Sequence, residues 1–171
     1  MLYLPINKRS IMGLHKLEVD DFYDASFTLF AVHCRLEDYR LAYLLNKRLG
    51  IKLRRKNQDI DYKYFAASYS IFEWEDCELD VTWNLVSNIC KKEESILQSS
   101  GSLFGGSTSF IKSYNLLPEL KTVDYLIKLS DEYRNLNEKI IINTIQSIPQ
   151  IITTYSVDLE KIKSKDHLIF N

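Results

Sequence analysis

The sequence feature that most constrains the fold is a continuous apolar run at residues 27–34, FTLFAVHC. Its aromatic and β-branched residues favour a strand, and its length is that of a strand rather than a helix. A run without alternation of apolar and polar residues is typical of a strand that is covered on both faces. We therefore predict that residues 27–34 form a strand in the middle of a sheet.

Two helices are predicted from apolar residues that recur at three- and four-residue spacing. The first spans residues 36–49, and Gly50 follows it at the position where a left-handed backbone ends many helices. The second spans residues 136–148, with Asn135 and Glu138 as a capping pair at its start and a proline after its end. The apolar positions are Leu41, Leu44, Leu45 and Leu49 in the first helix and Leu136, Ile140, Ile141, Ile145 and Ile148 in the second.

Alternation of apolar and polar residues predicts the remaining strands. These strands lie at residues 51–54, 65–72, 79–86, 123–129 and 151–157. The second and third of them form an antiparallel hairpin whose turn is residues 73–78. Residues 99–109 are rich in Gly and Ser and are predicted to be a flexible loop.

This order of elements predicts an α+β fold. Each helix connects two strands, and right-handed crossovers place both helices on the same side of one sheet. The expected architecture is a two-layer sandwich in which two helices cover one face of a largely antiparallel or mixed sheet. Its βαβ units are ferredoxin-like, with inserted strands.

Length, composition and charge limit the domain organisation and the partners. A chain of 171 residues that is 46% hydrophobic suits one domain, which we predict at residues 12–171, with residues 1–11 as an N-terminal extension ahead of a natural start at Met12. The 22 basic and 23 acidic residues nearly cancel, which disfavours nucleic acid as a partner. No apolar stretch reaches the roughly 20 residues that span a bilayer, so a cytoplasmic protein without membrane contacts is expected.

The segment 116–125, LLPELKTVDY, places a Pro-Glu pair and a Val-Asp-Tyr triplet at fixed spacing. It resembles the signature of the IPExxxVDY family, with Leu117 where the pattern has Ile. A looser likeness extends to the Leu-Ala-x-x-Leu-Asn run that begins at Leu41 and to the basic, apolar residues 163–170. The resemblance implies a small bacterial protein without an assigned biochemical function, so it carries over no catalytic residue, ligand or cofactor. The matching residues are Pro118, Glu119, Val123, Asp124 and Tyr125.

The acids and the tyrosine of this signature have a structural and a catalytic interpretation. In the structural one, Glu119 accepts backbone amides at the entrance of a strand that Pro118 introduces. Asp124 then pairs with a basic neighbour, while Val123 and Tyr125 face the core. In the catalytic one, a carboxylate acts as general base and Tyr125 as acid, although Asp124 and Tyr125 point to opposite faces of a regular strand. The structural interpretation is favoured.

Other candidate chemistries are weak. The glycines at 101–106 have the spacing of a phosphate loop, but Ser107 stands where that loop requires lysine. The three histidines are dispersed and the acidic clusters do not fit a calcium loop. The three cysteines lack a Cys-x-x-Cys spacing and are predicted to be free thiols packed as small apolar groups. We predict no metal and no cofactor.

The sequence therefore favours a noncatalytic protein-interaction or regulatory module, and an enzyme is the less favoured class. Its 11 tyrosines suit a protein partner or a homodimer formed by a sheet edge or an aromatic patch. The alternative is a small-molecule site, enzymatic or sensory, in which Glu119 or Asp124 lies near Arg54 or Arg55 and a loop carrying Phe104 closes over the ligand. A weaker alternative is RNA binding through sheet aromatics and the basic residues around Arg54.

Overall fold

A computed structural model of the protein describes residues 27–62, 67–96, 108–131 and 136–170. Within these ranges the chain has an α+β fold with two helices and strands that pair in antiparallel fashion. The predicted extension at 1–11, the start at Met12, and Phe104 with its glycine-rich loop lie outside the described residues. Neither described helix is long and apolar enough to cross a membrane.

The main sheet contains six strands in the order β10-β1-β9-β6-β5-β2, where the numbers follow the chain. The strand at Phe27–Cys34 is flanked by strands on both sides, which confirms the prediction of an internal strand. Two further pairs, β3 with β4 and β7 with β8, form separate two-stranded sheets. The strands are β1 (Phe27–Cys34), β2 (Arg54–Arg55), β3 (Ile60–Tyr62), β4 (Ala67–Tyr69), β5 (Ile71–Asp76), β6 (Val81–Ser87), β7 (Ile89–Ile96), β8 (Thr108–Asn115), β9 (Tyr125–Asp131) and β10 (Ile151–Ser156).

The helices are α1 (Asp38–Leu49) and α2 (Glu138–Gln146), close to their predicted positions. Gly50 ends α1 with a left-handed backbone at φ 72°, as its position predicted. Asn137 caps α2, because its side-chain oxygen accepts hydrogen bonds from the backbone amides of Lys139 and Ile140 in the first turn of the helix. The predicted capping residue Asn135 lies outside the described residues.

Both faces of the main sheet are buried. On one face, buried side chains of α1 and α2 pack with strand residues such as Phe30 and Ile127 in a single apolar cluster. On the other face, Leu29 and Leu126 pack in a second cluster with residues of non-helical segments, including Leu117 and Leu168. The segments that cover the second face come from the signature region and from the C-terminus.

A hairpin is present, but of its predicted first strand at 65–72 only Ile71 and Phe72 belong to it, because residues 67–69 form β4 and pair with β3. Its turn also lies further along the chain than predicted. Strands β5 and β6 pair from Ile71 opposite Val86 to Asp76 opposite Val81, which leaves residues 77–80 as the turn. The predicted turn at 73–78 was wrong because its acidic residues were read as solvent-exposed loop. The Trp74–Trp83 pair extends the ladder through this acidic stretch.

The strand predicted at 51–54 is only Arg54–Arg55, at the sheet edge. The preceding residues are held by the side chain of Asn46, whose amide donates to Leu53 O at 3.0 Å and accepts from Leu53 N at 2.8 Å. These bonds replace strand pairing while Ile51 and Leu53 enter the core. The alternation of apolar and polar residues therefore predicted correctly which side chains are buried, but it predicted the strand pairing wrongly.

Strands β7 and β8 were not predicted. They pair over eight positions, from Ile89 opposite Asn115 to Ile96 opposite Thr108, and form a two-stranded ribbon. The ribbon carries polar and charged side chains on both faces, so it lacks the apolar alternation that identifies a half-buried strand. Two residues of the predicted flexible loop, 108 and 109, belong to β8, and its other residues lie outside the described ranges.

Candidate functional site

The signature segment forms the connection between the ribbon and the main sheet, from Leu116 at the end of β8 to Tyr125 at the start of β9. Pro118–Leu120 is a single turn of 3-10 helix with the proline at its first position, where the missing amide donor costs nothing. The predicted strand at 123–129 is β9, Tyr125–Asp131. Pro118 therefore begins a helical turn rather than the strand, and Val123 and Asp124 lead from that turn into β9.

The signature segment closes around Asn88, which sequence analysis missed. Asn88 lies between β6 and β7 and is 0% exposed. Its side-chain amide donates to Leu120 O at 2.8 Å and to Val123 O at 2.9 Å, and its side-chain oxygen accepts from Leu117 N at 2.9 Å. One side chain thereby satisfies polar backbone groups from three positions of a buried loop.

The backbone of Asn88 bonds to the same segment. Asn88 N donates to Asp124 O at 2.9 Å, and Asn88 O accepts from Leu116 N at 2.9 Å. The residue therefore joins the main sheet, the ribbon and the signature segment at one point. The sequence signal for this role was an asparagine shortly after the predicted strand at 79–86, and asparagine is too common in turns for that signal to be recognised.

Asp124 and Tyr125 hold the connection between β1 and α1. A carboxylate oxygen of Asp124 accepts from Cys34 N at 3.0 Å, and the Tyr125 hydroxyl donates to Leu36 O at 2.6 Å. Asp124 was predicted to pair with a basic side chain, whereas its described hydrogen bond is to a backbone amide. Burial raises the pKa of the Tyr125 phenol, and neighbouring Cys34 and acidic groups raise it further, so Tyr125 stays protonated and donates.

Cys34, beside Asp124, is not an activated nucleophile. Burial raises the pKa of its thiol, and the Asp124 charge adds to the effect although a backbone contact at Leu36 opposes it. His33 is directed elsewhere and stacks on Tyr155 with ring centroids 5.9 Å apart. The described cysteines are free thiols; Cys34 packs in the core as predicted, whereas Cys77 is exposed.

Glu119 fastens the C-terminal segment to the signature. One of its carboxylate oxygens accepts from Lys163 N at 3.0 Å, from Ser164 N at 3.1 Å and from the Ser164 hydroxyl at 3.0 Å. Nearby, His167 Nδ1 lies 2.7 Å from Leu116 O, a second link between the two segments. Partial burial raises the pKa of Glu119, but hydrogen bonds from backbone amides and from Ser164 outweigh it and lower the pKa below its usual value.

The contribution of Glu119 to stability is expected to depend on pH. Because folding lowers its pKa below the ordinary value of 4.5, the contribution is complete above that value and is lost as the pH falls through the folded-state pKa. Glu119→Gln should lower the free energy of unfolding by up to about 1 kcal/mol near neutral pH, since the site is largely exposed. Urea unfolding at several pH values should show that the difference in unfolding free energy between the wild type and Glu119→Gln becomes smaller below a pH of about 4.

The matched control for this experiment is Glu160→Gln, which changes an exposed acid in the same C-terminal region. That variant should leave the free energy of unfolding nearly unchanged at every pH. A Glu119→Gln penalty of constant size from neutral to acidic pH would contradict the assignment of a charged acceptor.

The structure does not bring Asp124 together with Arg54 or Arg55, as the small-molecule alternative predicted. Strand β2, which carries Arg54 and Arg55, lies three positions from β9, or about 14 Å at the usual strand spacing. Arg55 instead bonds to Asp59 and lies over the ring of Phe72 at 5.7 Å. The structure therefore separates these arginines from Asp124, because two strands of the hairpin β5–β6 intervene.

A cleft of about 450 Å³ lies beside the end of the signature. It is lined by Asp124 and Tyr125 together with the charged side chains of Arg35, Glu37 and Lys91. Asp124 and the Tyr125 hydroxyl already bond to backbone groups, so neither of these two signature side chains is an unengaged acid or base in the cleft. Within the described part of the chain, no group of three or more His, Cys, Asp or Glu side chains could hold a metal ion.

The weaker RNA alternative also lacks its expected surface. RNA-binding domains that stack bases on a sheet leave its helix-free face open. Here Leu29, Ala31 and Leu126 of that face are buried under the signature and C-terminal segments.

Comparison with family models, curated proteins and solved structures returned no match. The interpretation of the signature therefore rests on the contacts described above.

Proposed function

We propose that this protein is a noncatalytic cytoplasmic module that acts by binding another polypeptide chain, with the ribbon β7–β8 as its binding element. The observation that carries the proposal is the exposure of this ribbon. Its two strands pair with each other over eight positions and stand apart from the six-stranded sheet. On β8, Ile111 is 73% exposed and Phe110 is 41% exposed.

An exposed two-stranded ribbon is a costly structure for a protein without a partner. A single hairpin is only marginally stable in water, because too little apolar surface is buried to offset the ordering of its backbone. Adjacent exposed side chains as large as Phe110 and Ile111 add apolar surface in contact with water. A partner chain that pairs with the ribbon or packs on it relieves both costs.

The signature region supports a noncatalytic role. Its Glu119, Asp124 and Tyr125 all bond to backbone groups of other segments, as a structural fastening requires. We infer that the resemblance to the IPExxxVDY family is a resemblance of fold, in which the signature closes a loop around Asn88. A resemblance of this kind needs no shared ligand or reaction.

We also infer that the main sheet is a ferredoxin-like, two-layer core with inserted strands. Strands β1 and β9 each lead into a helix and then into a strand that runs parallel to them in the same sheet, namely β2 after α1 and β10 after α2. The order β10-β1-β9-β6 supports this topology, with β5 and β2 added at the edge. Architecture of this kind hosts many functions and does not by itself select one.

Chemical cross-linking of lysines followed by mass spectrometry tests the proposed function. The full chain is cross-linked in extracts of the cells that produce it, and links to another polypeptide chain, whether a second copy or a different protein, are assigned to their lysines. Links should come mainly from the ribbon residues Lys91, Lys92 and Lys112, because a bound chain lies beside them. Lys47 and Lys161, on other parts of the surface, are the internal controls. Links that are absent or spread evenly over these lysines would contradict the proposal.

A further inference from the structure

We propose that the partner is a second copy of this chain, which pairs antiparallel along the outer edge of β8 about a two-fold axis at Ile111. The two ribbons would then form one four-stranded sheet in the order β7-β8-β8-β7. This inference rests on the proposed function and adds to it the identity of the partner and the register of the contact. It is supported by the sequence of β8 and by the sheet edges, because those of the main sheet are protected against pairing and the outer edge of β8 is not.

Both edges of the main sheet are protected against pairing. At one edge, β2 has only two residues, Arg54 and Arg55, and both are exposed charges. Short edge strands with charged side chains resist the addition of another strand. A second copy brought against this edge would also bring two more arginines into contact with the first two.

At the other edge, the side chain of Gln146 from α2 covers β10. Its amide donates to Ile152 O at 3.3 Å, and its oxygen accepts from Thr154 N at 3.0 Å. These are two of the outward-facing backbone groups that an added strand would use. The Gln146 side chain therefore makes hydrogen bonds to the edge of β10 that a neighbouring strand would otherwise make. The side chains of Ile152 and Tyr155 in β10 remain exposed.

Strand β8 carries no comparable protection in the described part of the chain. One edge of the ribbon is β7, which packs next to β4, whereas the outer edge of β8 is not paired with any described strand. Leu116 N donates across the ribbon to Asn88 O, and backbone groups alternate in direction along a strand. The backbone groups of Ser109, Ile111 and Ser113 therefore point away from β7, towards a potential partner strand.

A two-fold axis at Ile111 uses these outward groups in matched pairs. Ile111 pairs with its own copy, and Ser109 pairs with the Ser113 of the second chain. Between them, each Phe110 lies opposite the Lys112 of the other copy, an arrangement that favours a cation–π contact. A two-fold axis at Ser113 would instead place Ile111 opposite Asn115 and leave the apolar residues unmatched.

Charge does not oppose this pairing. Lys112 is the only charged residue of β8, and it forms an ion pair with Glu94 of its own ribbon at 3.6 Å. The strand brought against β8 is therefore nearly neutral, unlike β2. The apolar residues Phe110 and Ile111 lie at the centre of the proposed contact. Ser109 and Ser113 flank Ile111 on the same face of the strand.

Light scattering coupled to size-exclusion chromatography tests this inference on the full chain. The wild-type protein should be a dimer that dissociates on dilution. Ile111→Lys and Ile111→Glu should each be monomeric, because the two-fold axis places two like charges opposite each other. An equimolar mixture of the two variants should recover the dimer, because lysine then lies opposite glutamate. Recovery in the mixture is specific to a contact in which residue 111 meets its own copy.

Ile152→Lys is the matched control, since it places the same charge on another exposed isoleucine at a sheet edge. It should leave the dimer intact. Because Ile111 is exposed, the variants should keep the circular dichroism spectrum and the melting temperature of the wild type. A monomeric wild-type chain, or a dimer lost in Ile152→Lys but not in Ile111→Lys, would overturn the inference. A monomer whose ribbon lysines cross-link to a different protein would overturn it while leaving the proposed function standing.

Discussion

Replacing Asn88 by alanine is expected to lower the free energy of unfolding by about 3–5 kcal/mol. The substitution removes the partners of Leu117 N and Val123 O, which lie in a buried loop. Leu120 O loses a bond as well but keeps its contact with Val123 N at 3.1 Å. Each buried backbone group left without a partner costs about 1–3 kcal/mol, so two of them account for most of the effect.

Urea unfolding followed by circular dichroism measures this loss. Asn115→Ala is the matched control, because the Asn115 amide also donates to a carbonyl of the signature segment, Lys121 O, but at 3.2 Å and near the surface. That variant should cost less than about 1 kcal/mol, since water can replace the lost donor. If the two asparagines proved equivalent, Asn88 would not be the residue around which the signature closes.

Truncating Leu117 to alanine is expected to cost about 3–5 kcal/mol. Leu117 is 0% exposed and packs against the helix-free face of the sheet, where Leu29 and Leu126 also lie. The loss of stability has two parts: the free energy that burial of the removed methyl groups contributed, and the cost of the cavity that remains. Hydrogen bonds from Leu116 N and Leu117 N to Asn88 hold the segment in place, which limits how far the chain can move to close the cavity.

Leu117→Ile tests the same site with a change of shape at constant volume. Isoleucine stands at this position in the IPExxxVDY signature that the segment resembles, and such a substitution should cost less than about 1.5 kcal/mol. Leu120→Ala, at a partly exposed position of the same turn, should cost less than Leu117→Ala. Thermal and urea unfolding of the three variants measure these differences. A large penalty for isoleucine would show that the packing here differs from the packing that the signature implies.

These two residues indicate what the signature region does in the protein. Leu117 fixes the segment to the second core cluster, while Asn88 supplies hydrogen bonds to its backbone. Glu119 then binds the C-terminal segment, and Asp124 with Tyr125 binds the connection before α1. The signature thus joins distant parts of the chain. Loss of these contacts should destabilise the whole fold.

Part of the candidate site could be predicted from the sequence. The Pro-Glu and Val-Asp-Tyr residues were recognised as a unit, and their structural interpretation placed Val123 and Tyr125 in the core, where the structure also has them. Asn88 could not be predicted, because its partners are backbone groups about 30 residues further along the chain. The ribbon was missed for a different reason: both of its faces meet solvent, so its strands show no apolar period.

The sequence by itself determined the elements whose burial is one-sided or complete: the internal strand at Phe27–Cys34, the two helices, the end of α1 at Gly50 and the last strand. Apolar period and backbone preference are local properties, and they act before any distant contact forms. Only the tertiary structure decided which strand edges are closed, where the signature acids bond and which surface remains open. Those outcomes depend on pairs of groups far apart in the chain, such as Glu119 with Ser164 and Asn88 with Leu117, and no local sequence pattern predicts that they meet.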